Sequence, residues 1–172
     1  MKRAALVGLL FTFTTAHAMT LLDLTAPGFF VVNDGVMGGL STSRVNATNG
    51  VLTFEGEVSL ANSGGFASCR SPVTIPGGAK ALALTMRGDG QRYRLTLKRD
   101  DAPGTPQYQA NFVAPREWVT VRFTAEDFVA SFRGRRVAAP PLRFEEMRYV
   151  GLLIADQQAG AFRIEVRSLV AE

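Results

Sequence analysis

From residue 50 onward the sequence alternates with a period of two, and this constrains the fold more than any other feature. In residues 51–60 (VLTFEGEVSL), Leu52, Phe54, Val58 and Leu60 share one face, while Thr53, Glu55, Glu57 and Ser59 share the other. In residues 92–99, Tyr93, Leu95 and Leu97 oppose Arg92, Arg94, Thr96 and Lys98. In residues 117–123, Val119, Val121 and Phe123 oppose Trp118, Thr120 and Arg122. Near the end, Phe162, Ile164 and Val166 oppose Arg163, Glu165 and Arg167. Successive strand side chains point to opposite faces, so each segment predicts an antiparallel strand with one face on a core and one in water.

Residues 79–86 (AKALALTM) and 149–155 (YVGLLIA) are apolar on both faces, which predicts central strands covered on both sides. Turn chemistry fills the gaps, at Asn49-Gly50, Pro76-Gly77-Gly78, Gly88-Asp89-Gly90, Pro103-Gly104, Pro140-Pro141 and Gln158-Ala159-Gly160. No apolar pattern runs at helical spacing for three turns; the best helical segment is a single turn at 124–128, with Thr124 placed to cap it. About nine or ten strands in one domain predict an all-β fold, a two-sheet antiparallel β-sandwich of jelly-roll type.

The N-terminus reads differently. Lys2 and Arg3 precede an apolar run from Ala4 to about Phe13, and Ala16-His17-Ala18 has the small-residue pattern of a cleavage site. Residues 1–18 are therefore expected to be a secretory signal peptide and 19–172 the working domain, periplasmic or extracellular. The run is too short for a spanning helix and no second one follows, so no transmembrane anchor is expected.

The chain has one Cys and one His, and that His is His17. Taking eighteen residues from 172 leaves 154, and losing Lys2 and Arg3 takes the net charge from +4 to +2. Without imidazole there is no Ser-His-Asp or Cys-His nucleophile system and no His-ligated metal. A charge of +2 is too weak to indicate nucleic acid. No catalytic residue, cofactor or metal is expected.

Several segments carry possible binding chemistry. In residues 31–43 (VVNDGVMGGLSTS), Asn33-Asp34-Gly35 signals a turn and Gly38-Gly39 adds flexible positions; the loop could form an anion-binding nest or only turn the chain between sheets. A second glycine corner, Asn62-Ser63-Gly64-Gly65-Phe66, leads to Cys69 and Arg70. With no His to activate it, Cys69 reads as a small buried hydrophobe. Arg87-Gly88-Asp89-Gly90 reads as a tight hairpin rather than a recognition tripeptide. Phe132-Arg133-Gly134-Arg135-Arg136 is the one concentrated basic run, a solvated loop or a phosphate or acidic-partner site. Glu55 and Glu57 lie about 7 Å apart on one strand face, the separation a glycosidase pair would need, but alternation of Glu with Thr and Ser also keeps a sheet soluble. Asp34 and Asp89 in glycine loops are suitable oxygen ligands for calcium, though no D-x-D-x-D-G run supports such a site.

Taken together, residues 31–43, 62–72, 87–98, 117–135 and 149–166 resemble the complex I intermediate-associated protein 30 family, in order and across nearly the whole mature chain. NDGVMGG followed by Ser, then GGFAS-x-R, is the specific part. Phe29 departs from the pattern, since the family usually has Trp there. The resemblance implies a galactose-binding-like β-sandwich, an architecture shared by many carbohydrate-binding modules. It also implies a non-enzymatic assembly or chaperone role, as for the mitochondrial member that serves respiratory complex I. Export would place this protein on the opposite side of the membrane from that member.

Asp34, Gly35, Met37, Gly38, Gly39, Ser41, Gly64, Gly65, Phe66 and Arg70 match signature positions. With Asn33, Trp118, Arg133 and Arg135 they make up the candidate binding surface. The expected partner is a protein, of a respiratory complex or of the envelope, or alternatively a glycan. The two differ in what they need: exposed aromatics among convergent polar groups for a glycan, a broader apolar patch with a polar rim for a protein.

Overall fold

A computed structural model describes residues 18–22 and 28–172; the leader-like segment before Ala18 lies outside the described residues. Among the described residues thirteen strands follow one another: β1 (Met19–Thr20), β2 (Phe30–Val31), β3 (Thr42–Thr48), β4 (Val51–Val58), β5 (Ala67–Pro72), β6 (Ala81–Gly88), β7 (Arg92–Lys98), β8 (Gln107–Val113), β9 (Val119–Thr124), β10 (Val129–Phe132), β11 (Arg135–Arg136), β12 (Tyr149–Ile154) and β13 (Gly160–Ala171). Three have only two residues, which leaves ten of four or more, the number expected from the alternation.

All pairings are antiparallel, in two sheets. The six-stranded sheet runs β3-β4-β13-β6-β9, with β1 on the far end of β13. The seven-stranded sheet runs β11-β10-β8-β7-β12-β5-β2. β6 and β12, apolar on both faces in the sequence, sit inside their sheets rather than at an edge. The inward faces close on a core through which seven aromatic rings run in sequence. Phe54, Phe162, Tyr93, Phe112, Phe123, Phe128 and Phe144 contact one another in turn, at centroid distances of 4.9 to 6.5 Å. Rings packed edge-on or tilted add specific geometry to the area they bury.

Two local expectations meet different outcomes. The helical turn exists as a single 3-10 turn, Ala125–Asp127, and the Asp127 carboxylate reaches back to accept the Thr124 N–H (2.7 Å) and hydroxyl (2.9 Å). The hairpin at 87–90 does not form. β6 and β7 belong to different sheets, and residues 89–91 step between them. A two-residue hairpin needs its flanking strands paired with each other, but β6 is already paired on both edges, to β13 and β9. The corner bonds instead to the connection after β8: Gly88 N–H donates to Pro115 O, and Gly90 N–H to Ala114 O. Asp89 fixes it by accepting from the Tyr93 hydroxyl (2.9 Å), Gln91 N–H (3.0 Å) and Arg163 N–H (2.7 Å).

Candidate functional site

The signature loop converges on one buried carboxylate. Asp34 has no solvent exposure. Its Oδ1 accepts Ser41 N–H at 2.9 Å. Its Oδ2 accepts the Ser41 hydroxyl at 2.5 Å, Gly65 N–H at 2.7 Å and Phe66 N–H at 3.2 Å. Burial by itself raises the pKa of this carboxyl. The Ser41 hydroxyl and the Gly65, Phe66 and Ser41 N–H groups outweigh that effect and hold it below the ordinary aspartate value. Glycine is needed where the two loops approach: a Cβ at Gly39 would lie 2.4 Å from Asp34 Cγ, and one at Gly64 would lie 2.7 Å from Oδ2. The loops do form an anion nest, and its anion is the protein's own Asp34. Both oxygens face hydrogen donors, an arrangement that receives no calcium ion.

Asp34, Gly39, Ser41, Gly64 and Gly65 therefore hold the loops before β3 and before β5 together. Asn33 accepts the Ser43 hydroxyl at 2.7 Å, and Gly38 closes the 3-10 turn Asp34–Met37 in a left-handed conformation. Gly35, in that turn, is exposed.

The second structure is a cleft of about 380 Å³ on the outer face of the seven-stranded sheet. Strand register builds its floor as three rows. Ser68, Leu153, Arg94 and Asn111 form one, Arg70, Gly151, Thr96 and Gln109 the next, and Pro72, Tyr149, Lys98, Gln107 and Ser131 the third. Gly151 leaves the middle row without a side chain at its centre, where an added Cβ would lie 2.3 Å from Cys69 O. Val32, Met37 and Phe66 line the cleft beside the Asp34 loops; Phe132 at the end of β10 and Thr105, Arg133 and Gly134 in other loops also line it.

The floor is held by its own contacts. Arg94 donates to Asn111 Oδ1 (3.1 Å), to Gln109 Oε1 (3.0 Å) and to the Asp156 carboxylate. The Arg70 guanidinium lies 5.0 Å from the Phe30 ring centroid and 6.0 Å from that of Tyr149, and pairs with Asp101 at 2.7 Å. Lys98 Nζ is 3.4 Å from the same carboxylate. Thr96, Gln109 and Ser131 are nearly buried yet polar.

Of the residues expected at a binding surface, Met37, Phe66, Arg70 and Arg133 line this cleft. Arg135, in β11, is exposed outside its lining. Trp118 lies on the other sheet's outer side, with the guanidinium carbons of Arg167 and Arg87 at 3.9 and 4.9 Å from its ring centroid. Tyr108 turns into the core and its hydroxyl donates to Pro140 O at 2.7 Å. Cys69 is buried, and desolvation pushes its thiol up to about 12. Glu55 pairs with Arg44 and Arg163. Among the described residues no three His, Cys, Asp or Glu side chains group as metal ligands would. Alternation presents Arg94, Thr96 and Lys98 only as solvent-facing strand residues and gives no signal at Ser68, Gln107, Gln109 or Ser131; it marks an outer face but not its curvature.

Two antiparallel sheets packed face to face define a jelly-roll β-sandwich. The chain belongs to the complex I intermediate-associated protein 30 family, whose model matches residues 11–166. No curated protein sequence matches it. In structure it is similar to the family 11 carbohydrate-binding module from Clostridium thermocellum in complex with a β-1,3-1,4-mixed-linked tetrasaccharide. The TM-score is 0.61 at 11% identity, covering 91% of this chain and 96% of that one. A solution structure of CtCBM11 gives 0.64 at 8% identity over 93% and 97%. An agarase gives 0.58 at 11% identity, over 90% of this chain and 24% of the enzyme. Likeness at these identities shows the fold. Among the described residues no helix is long and apolar enough to cross a membrane.

Proposed function

We propose that this protein is an exported, non-enzymatic binding domain that holds a glycan along the trough of the seven-stranded sheet. The observation that carries this reading is the three rows of side chains across β5, β12, β7, β8 and β10. Neighbouring strands lie about 4.8 Å apart, so the rows offer amide, hydroxyl and cationic groups at regular intervals to a chain of sugar hydroxyls. Tyr149, Phe66 and Phe132 supply aromatic surface among those groups, the combination a sugar site needs. The tetrasaccharide-bound module of the same fold supports the reading. A glycan array tests it: the wild-type protein should retain an oligosaccharide that Gln109→Ala with Tyr149→Ala releases. Equal retention by the variant, or none by the wild type on a broad array, would reject it.

One observation favours a second reading, a protein partner with an assembly or chaperone role. Phe30, Val31, Met37, Leu40 and Leu60 are exposed large apolar side chains on β2 and on the two loops tied by Asp34. Apolar surface of this kind is what a partner covers. Loss of captured protein on Met37→Glu with Leu40→Glu, with glycan retention intact, would assign the lip to a protein.

A further inference from the structure

We infer that the ligand of this trough is an anionic glycan, one whose rings carry carboxylate or sulfate groups; the inference rests on the glycan reading above. Arg70, Arg94, Lys98 and Arg133 line the cleft, and no Asp or Glu does. Among the described residues, two carboxylates reach these cations: Asp101, shared by Arg70 and Lys98, and Asp156 on Arg94. Four cations against two carboxylates leave an excess of two positive charges around a small, partly enclosed space. A cleft of one sign with low-dielectric walls concentrates its field on whatever enters.

Two of the cations are incompletely matched. Arg70 Nε is buried without an acceptor among the described residues, while only Nη1 of that guanidinium makes an ion pair, with Asp101. A neighbouring anion offsets the cost of such a partly buried, under-coordinated cation. Arg133 has no ion pair among the described residues and lies over Phe132 at 5.4 Å. It occupies the first position of the two-residue turn between β10 and β11, at φ 48°. That left-handed conformation favours Asn or Gly and is uncommon for a long side chain. The turn thus places a guanidinium at the cleft mouth at the expense of local backbone preference. A planar guanidinium matches the two oxygens of a carboxylate or the face of a sulfate.

The test compares charged polymers with neutral counterparts of the same backbone: polygalacturonate against its fully methyl-esterified form for the carboxylate, and dextran sulfate against dextran for the sulfate. Binding is read by titration calorimetry at about 0.05 M and about 0.5 M NaCl. One charged polymer should bind at least about tenfold tighter than its neutral partner, with the gap narrowing in high salt. Arg133→Asn suits its turn, so it should preserve thermal stability and cut that preference several-fold; Lys98→Met should do the same. Equal binding of charged and neutral forms overturns the inference and leaves the glycan reading standing. A charge preference untouched by Arg133→Asn and Lys98→Met also overturns it, by moving the attraction elsewhere on the surface. If neither these polymers nor any glycan of a broad array binds, the glycan reading itself falls.

Discussion

Ser41 donates both its backbone N–H and its hydroxyl to Asp34, one to each carboxylate oxygen, at 2.9 and 2.5 Å. The same hydroxyl oxygen accepts Ser59 N–H at 3.0 Å. One serine therefore links the loop before β3, the buried carboxylate and the end of β4. The most specific stretch of the family resemblance is thus an internal clasp that sets one end of the cleft.

Breaking the clasp should cost stability first. Asp34→Asn puts an amide N–H₂ among hydrogen donors and loses charge-assisted bonds, an expected loss of about 2–4 kcal/mol in chemical unfolding. Gly39→Ala should cost a similar ~1–3 kcal/mol, because its Cβ would overlap Asp34 Cγ. A cost under about 0.5 kcal/mol in both would show that the clasp does not hold the loops.

Acid should release the clasp. Asp34 titrates below the ordinary aspartate value when folded, so its contribution is complete above about pH 4 and is lost as pH falls through the lowered folded value. Glu165, held down by Arg163 and Arg87, follows the same sign. Melting temperatures should fall steeply below about pH 4, and the gap between wild type and Asp34→Asn should close as pH drops. A gap that widens in acid contradicts this assignment.

The single tryptophan makes a useful negative reporter. Arg167 and Arg87 both pack over the Trp118 ring on the sheet opposite the cleft. Glycan bound in the cleft should leave its emission unchanged. Trp118→Ala should cost about 1–2 kcal/mol of stability through the two cation-π contacts and leave glycan affinity intact. Quenching by ligand, or lost binding in this variant, would place the site on the wrong sheet.

Export has its own measurement. The intact mass of protein recovered from a native envelope should correspond to a chain beginning at Met19. A chain retaining Met1 in the cytoplasm would remove the export reading.

The fold was legible because alternation in segments such as 92–98 and 162–167 reports burial directly: Tyr93, Leu95, Leu97, Ile164 and Val166 all lie in the core. Sheet membership was not legible. Nothing local in RGDG distinguishes a hairpin from a corner, since the choice depends on β13 and β9 already occupying both edges of β6. The Asp34 clasp was half legible: its glycines and serine marked a loop able to enclose an anion, but its partners at Gly65 and Phe66 are 31 and 32 residues away. The cleft floor was hidden because Thr96, Gln109 and Ser131 look like any polar strand residues until register aligns them around Gly151. Alternation places Trp118 on an outer strand face, and only the fold shows the Arg167 and Arg87 guanidinium groups packed over its ring.

The most direct test of the central claim is an amide chemical-shift map recorded while adding the oligosaccharide that the array returns. Shifts should be confined to the outward residues of β5, β7, β8, β10 and β12, centred on Arg94, Thr96 and Gln109. Shifts clustered at Trp118, Arg87 and Arg167, or only on Met37, Leu40 and Leu60, would contradict it.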